Sequence, residues 1–281
     1  MFRWMLALAL AGAPWIATAQ SEAEVRAQAV ASMIVTGRLD VEPDGSVSAL
    51  ALDRQEALPR YVVDAVGKVA RGWLFEPEIR DGAAIAFRVR ISMRVLATPT
   101  ADDGFTISVA NASLVEEAPR AQTITGLRMP PPSYPKEALQ RDASAVAYLV
   151  VKVDREGRVV DSAVEQVNLR ASAPGRLMAI LREEFSKHAL KASRKWTFQP
   201  PTEGEHAADP FWSVRVPVSF VMHGTADMDQ YGRWMAYIPG PRQQAPWLEG
   251  VALDANDALG DGEMQLVGTG PRLRTPLQPG G

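Results

Sequence analysis

The chain has 281 residues, of which 47% are hydrophobic and 22% are charged, and its formal net charge is −3. This length suits about two domains, each able to bury a hydrophobic core, and the near-neutral charge argues against nucleic acid or an acidic membrane surface as the main partner. The absence of cysteine excludes disulfides, thiol catalysis, cysteine-based zinc sites and a lipid-modified N-terminal cysteine.

Residues 1–19 have the pattern of an export signal. Arg3 supplies a positive charge ahead of a short apolar run from Trp4 to Ile16, and Ala17-Thr18-Ala19 is an Ala-x-Ala cleavage site. The apolar run is shorter than the roughly 20 residues that span a bilayer. We therefore predict cleavage after Ala19 and export to a bacterial periplasm, with an uncleaved inner-membrane anchor as the alternative.

Residues 20–97 are predicted to form the first structural unit, in the order strand, strand, helix, strand. Apolar and polar residues alternate in the strands, and apolar residues recur at helical spacing in the helix. The turn Asp44-Gly45 joins the first two strands. The predicted elements are strands over Met33–Glu42, Val47–Leu52 and Ile85–Leu96 and a helix over Leu58–Gly72.

Residues 98–127 are predicted to be a linker, because they are rich in Thr, Ala, Asp and Pro. Only Phe105–Val109 has the composition of a short strand. Met129–Pro135 contains four prolines. This segment is predicted to be extended, because proline cannot continue a helix and restricts the residue before it.

Residues 128–223 repeat the order of the first unit, with the turn Glu156-Gly157 between the first two strands. The predicted elements are strands over Val146–Val153, Val159–Val167 and Phe211–Met222 and a helix over Arg176–Arg194. Residues 224–281 are rich in Gly and Pro and are predicted to form a mostly irregular tail.

One five-residue phrase occurs in both halves, as Trp73-Leu74-Phe75-Glu76-Pro77 and as Trp196-Thr197-Phe198-Gln199-Pro200. The Trp and the Phe stand two residues apart and point the same way from an extended chain, so we expect both to enter the core. The repeat predicts an α+β fold of two tandem small β-β-α-β units, each a short sheet with one helix packed on one face.

A longer motif lies in the second half. Pro132-Ser133-Tyr134-Pro135-Lys136-Glu137-Ala138 precedes two strands, a long helix, Trp-x-Phe-x-Pro and a Val-rich last strand. On these residues, the stretch from about Arg128 to Met222 resembles the C-terminal domain of TonB, the energy transducer of Gram-negative bacteria. Residues 34–96 are similar to a degenerate copy without Tyr-Pro. The family's usual glycine before the first strand is replaced by Asp142–Ala145, and neither its anchor nor its proline-rich spacer is expected here.

The resemblance implies a role in binding another protein. TonB-like domains pair their final strand with a short extended segment of an outer-membrane receptor, and the Tyr-Pro region helps to hold that segment. Such binding would serve energy-dependent transport across the outer membrane. The resemblance assigns partner binding to Ser133, Tyr134, Pro135, Ser213, Val214, Arg215, Val216 and Val218.

Pro217 separately predicts that the last strand lies at a sheet edge, because proline has no backbone N–H and is confined to edges and bulges. An exposed edge is a template for another extended chain. Either a receptor segment or a second copy of the chain, as a homodimer, is therefore expected to pair there. The alternative is an edge that Pro217 and Arg215 merely shield. For Tyr134 the alternative is a staple that fastens the extended arm to the domain.

Catalytic and metal sites have little support. His188, His206 and His223 do not stand at ligand spacing, and neither a hydrolase elbow nor a phosphate-binding loop occurs. We therefore predict a protein that is not an enzyme and uses no cofactor or metal. Two alternatives stay open: a periplasmic adaptor or scaffold that uses the same fold for contacts unrelated to uptake, and, with little support, a hydrolase whose site the sequence pattern does not reveal.

Arg88, Arg90 and Arg94 form a basic stripe along one face of a predicted strand. A solvated face is the first interpretation of this stripe. A docking surface for an acidic partner is the second.

Overall fold

The structure is a computed structural model that describes residues 20–102, 104–221, 231–249, 256–260 and 262–277. The predicted export signal lies outside these residues.

The fold is α+β, which confirms the predicted class, and it consists mostly of strands in small antiparallel sheets. The helices are α1 (Glu22–Arg26), α2 (Arg60–Arg71), α3 (Lys136–Leu139) and α4 (Gly175–Ser193). The strands are β1 (Val30–Val41), β2 (Val47–Leu52), β3 (Glu78–Arg80), β4 (Ala83–Ile85), β5 (Phe87–Pro99), β6 (Phe105–Glu116), β7 (Thr125–Arg128), β8 (Ala145–Asp154), β9 (Val159–Leu169), β10 (Thr197–Gln199), β11 (Phe211–Phe220), β12 (Met235–Tyr237) and β13 (Gln265–Leu266).

The first sheet has five strands in the order β12-β1-β5-β6, and β2 also pairs with β1. Strands β1 and β5 are antiparallel over nearly their whole length. Helix α2 turns Val62, Val66 and Ala70 onto one face of this sheet, where they are buried. Trp73 and Phe75 enter the same core, as the sequence predicts.

The second sheet has four strands in the order β13-β11-β8-β9. Helix α4 covers one face and buries Met178, Leu181 and Phe185 against it. Trp196 and Phe198 complete this core. The helix and the three long strands lie within two residues of their predicted bounds, because their apolar stripe and their alternation are uninterrupted.

The turn glycines of both halves approach the Trp-x-Phe-x-Pro phrase in the same way. Gly45 has φ 88° and Gly157 has φ 77°, a region that favours glycine. The Phe75 amide donates to the Gly45 carbonyl, and the Phe198 amide donates to the Gly157 carbonyl, each at 2.8 Å. A Cβ on either glycine would collide with the carbonyl oxygen of the facing phenylalanine. Both turns therefore require glycine for its conformation and for its size.

Gly157→Ala is expected to destabilise the protein more than Gly82→Ala. Both glycines have similar positive φ, but a Cβ at Gly82 meets no atom within 4 Å. Backbone strain alone should therefore lower the free energy of unfolding of the Gly82→Ala control by about 1–2 kcal/mol. Gly157→Ala should lower it further, because the added Cβ also collides with the Phe198 carbonyl oxygen. Urea unfolding of both variants measures the difference, and equal losses would contradict the close approach.

The predicted linker is partly wrong, because β6 extends to Glu116, well beyond the predicted Phe105–Val109. Strand β6 pairs with β5 and buries Val109 and Ala112 in the first core. Further along, β7 pairs with β10. These pairings tie the segment between the two halves to both of them.

The tail is also more ordered than predicted in its described parts. Strand β12 pairs with β1, and Ile238 bridges to Leu169 at the end of β9. Strand β13 pairs with β11, and Leu273 bridges to Phe75. The tail therefore adds short extended segments to both halves. In the described part of the chain, no helix is long and apolar enough to cross a membrane.

Candidate partner-binding edge

Strand β11 lies between β8 and β13, and its two faces have different surroundings. Val214, Val216 and Val218 point into the core below α4 and are at most 6% exposed. These three predicted site residues cannot present their side chains to a partner while this core is intact. Their backbone N–H and C=O groups face β8, because the alternate residue Ser213 faces β13, so they make no backbone hydrogen bond with a strand added on the β13 side either.

The prediction of an open edge is wrong for the first part of β11. Val214 and Arg215 stand opposite Leu266 and Gln265 of β13. The Val267 amide donates to the Ser213 carbonyl at 2.8 Å, so the backbone of Ser213 faces this outer flank. The cause is the chain's own tail, which supplies an extended segment that the sequence pattern does not reveal.

Pro217 explains why this pairing is short. Backbone groups of residues two apart in a strand face the same flank, so Pro217 shares the orientation of Ser213. Its missing N–H therefore lies on the outer flank, where it removes a donor from any added strand. Among the described residues, no strand pairs with this flank beyond Arg215.

The face of β11 opposite α4 carries a buried ion pair. Arg215 donates to the two carboxylate oxygens of Glu165 at 2.9 and 3.3 Å, and the two side chains are 2% and 0% exposed. The Trp247 indole donates to the Ser213 hydroxyl at 3.1 Å. The Arg215 side chain thus ties β11 to β9, the Ser213 side chain ties β11 to the tail, and neither reaches a partner on the surface.

The Tyr-Pro arm is fastened to the second core by Tyr134. The Tyr134 hydroxyl donates to the Ala143 carbonyl at 2.6 Å, and the ring packs edge-on against Phe185 and Phe220. Burial raises the pKa of Tyr134. This geometry agrees with the interpretation of Tyr134 as a residue that fastens the arm to the domain. The contact with Phe220 places the arm at the C-terminal end of β11.

Ser133 and Pro135 complete the attachment of the arm. His188 on α4 contacts the Ser133 carbonyl at 2.6 Å and the Ser133 hydroxyl at 3.0 Å through Nδ1. Pro135 is buried and precedes the first residue of α3. The predicted arm residues therefore lie near Phe220, and the tail-paired residues lie at the opposite part of β11.

The basic stripe on β5 is neutralised within the chain. Arg88 contacts Asp40 at 2.6 Å and Arg90 contacts Glu263 at 3.4 Å, and both arginine side chains are more than half exposed. Arg94 contradicts the solvated interpretation, because it is only 7% exposed. The stripe offers little unpaired charge for an acidic partner.

Arg94 lies in a buried polar cluster that sequence reasoning missed. It donates to the Asp257 carbonyl at 2.7 Å, the Ser32 hydroxyl at 2.8 Å and the Tyr148 hydroxyl at 2.9 Å. Its guanidinium lies 4.8 Å from the centre of the Tyr237 ring, and burial raises the pKa of Tyr237 to about 12. The cluster joins the first sheet, the second sheet and the tail.

Asp257 is the tail's contribution to this cluster. Its carboxylate lies 3.4 Å from Arg94 and 3.6 Å from Arg242, and it accepts from the side-chain amide of Asn111. The Asn168 amide, on β9, donates to it at 3.5 Å. The only available signal in the sequence was the placement of these polar residues within or beside strands.

A groove of about 650 Å³ has Gln265 and Leu266 of β13 in its lining. Its lining includes Ile79, Leu114, His206, Gln265 and Arg272. The tail strand therefore borders this groove. In the described part of the chain, no three His, Cys, Asp or Glu residues are placed to hold a metal ion.

The sequence matches no protein-family model, and neither a curated protein nor a solved structure matches the chain.

Proposed function

We propose that this protein is an exported, TonB-like binding protein of the periplasm. It takes an extended segment of an outer-membrane receptor on the outer flank of β11 and serves energy-dependent transport across the outer membrane. The observation that carries the proposal is the pairing of β11 with an extended segment of the chain's own tail. That flank has the geometry for strand addition.

The backbone of β11 supplies the affinity in this proposal. Its core-facing valines are buried, and its other face is occupied by the Arg215–Glu165 pair. Selectivity then comes from side chains around the flank, and the Tyr134 arm positions the Phe220 end of the strand. No step of this function requires catalysis or a cofactor.

We further propose that the two halves are tandem copies of one β-β-α-β unit. In each half the first strand lies between the second and the last, since β1 lies between β2 and β5 and β8 lies between β9 and β11. The shared turn-glycine contact with Trp-x-Phe-x-Pro supports the same proposal. The fold alone does not determine what either copy binds.

A periplasmic adaptor or scaffold is the second candidate. The observation in its favour is that tail segments already pair with β1, β9, β11 and the Phe75 segment. A chain whose edges are permanently covered would use other surfaces for its contacts.

Affinity capture from solubilised envelope separates the two functions. The bait is the protein from Gln20 onward, and the captured partner is identified and its bound segment mapped by protection from proteolysis. Recovery of an outer-membrane receptor through an extended segment supports transport. Recovery of only soluble or inner-membrane partners, without an extended segment, would favour the scaffold.

A further inference from the structure

We infer that residues 265–267 are an internal substitute for the partner's segment, and that the partner displaces them. This inference rests on the proposed function. It also specifies the partner: an extended segment with one polar residue followed by two aliphatic residues, matching Gln265, Leu266 and Val267.

Each position of this tail segment has its own surroundings. The Gln265 side chain is 7% exposed and donates to the Leu114 carbonyl of β6 at 3.4 Å. Leu266 packs against the core that lies below α4. Val267 packs on the opposite face, against the small cluster formed by Val150, Ala245 and Leu248. A partner must reproduce a hydrogen-bonding side chain and two aliphatic side chains that alternate between the faces.

The short pairing, the flanking glycines and the adjoining groove all favour displacement of this segment. Strand β13 is only two residues long, and Pro217 prevents a longer ladder from forming on this flank. Gly262 and Gly268 stand on either side, both with positive φ and with no atom within 4 Å of an added Cβ. These glycines tolerate many backbone conformations, and the adjoining groove gives the segment space to leave.

A labelled peptide with the sequence of Gly262–Gly270 serves as the probe. Val267→Pro removes the amide that bonds to Ser213, so the tail leaves more readily. The probe is expected to bind this variant about two- to tenfold more tightly than the unaltered protein, the factor that one net hydrogen bond represents. Val267→Ala keeps the amide and is the matched control. A probe that carries Leu266→Asp should not bind.

A disulfide lock tests displacement directly. Hydrogen-bonded pairs of an antiparallel ladder lie about 5.5 Å apart at Cα, within disulfide range, and the Val267 amide donates to the Ser213 carbonyl. The chain has no cysteine of its own, so Ser213→Cys with Val267→Cys forms one defined bridge. The oxidised protein should lose probe binding and the reduced protein should regain it. Ala31→Cys with Ala236→Cys locks the tail on β1 instead and should bind the probe in both states.

The outcomes separate the inference from the function. Equal probe binding by the oxidised and reduced lock, or no binding by any variant, overturns the inference. If the oxidised disulfide variant still captures the receptor, the result supports the transport function and contradicts displacement of residues 265–267. If the probe binds the reduced but not the oxidised variant and no receptor is captured, the result supports displacement and contradicts the transport function.

Discussion

Replacing Glu165 with leucine is expected to lower the free energy of unfolding by about 3–5 kcal/mol. Glu165 is fully buried, and Arg215 bonds to both of its oxygens. Removing the carboxylate leaves a guanidinium buried without its counter-charge, and Arg215 Nη1 already has no hydrogen-bond partner among the described residues. Urea unfolding measures the loss.

The double variant Glu165→Leu with Arg215→Met is the matched control. It removes both charges and fills similar volume, so its stability should return to within about 1–2 kcal/mol of the unaltered protein, or exceed it. A double variant as unstable as Glu165→Leu alone would mean that the lost packing, and not the stranded charge, causes the effect.

Arg94→Met is the second substitution with a large expected effect, a loss of about 3–5 kcal/mol. Arg94 joins Ser32, Tyr148 and the tail residue Asp257. Without it, the buried Asp257 carboxylate keeps, among the residues that the structure describes, only the more distant Arg242 as a cation, at 3.6 Å. Urea unfolding should show the loss, and limited proteolysis should show faster cleavage of the tail.

Arg90→Met is the control on the same face of β5. Arg90 pairs with Glu263, but its side chain is 56% exposed. Water screens such a pair, so the expected loss is at most about 1 kcal/mol. Similar losses for the two variants would refute the structural role of the buried cluster.

The Arg94 cluster also shows where sequence reasoning stops. Arg88, Arg90 and Arg94 all stand at polar positions of one alternating pattern, so the local sequence predicts the same exposed environment for all three. Only Arg94 is buried, because Ala258 and its neighbours in the tail pack over that part of the strand. The hydrogen bond between Arg94 and Asp257 joins residues 163 positions apart in the sequence, and local periodicity carries no information about such a contact.

The elements of the second core could be predicted closely. Helix α4 and strands β8, β9 and β11 have uninterrupted apolar patterns, and Trp196 and Phe198 have the spacing of core residues. The last part of β6 could not be predicted, because the small polar sequence Ala110–Ser113 hides its alternation.

The candidate site could be predicted in part. Pro217 predicted a sheet edge, which is wrong where β13 pairs with β11, while the Tyr-Pro motif marked an arm that lies against Phe220. The covering strand β13 could not be predicted, because two residues are too few to show a period. Its position depends on long-range pairing that a local pattern does not contain.

Amide chemical-shift mapping tests most directly whether the outer flank of β11 takes up an extended partner. The protein from Gln20 onward is labelled with ¹⁵N and titrated with the receptor segment recovered from the envelope. We expect shifts concentrated on Ser213–Phe220, together with release of the Val267 amide. Shifts spread evenly over the chain, or an unchanged Val267 amide at saturation, would contradict it.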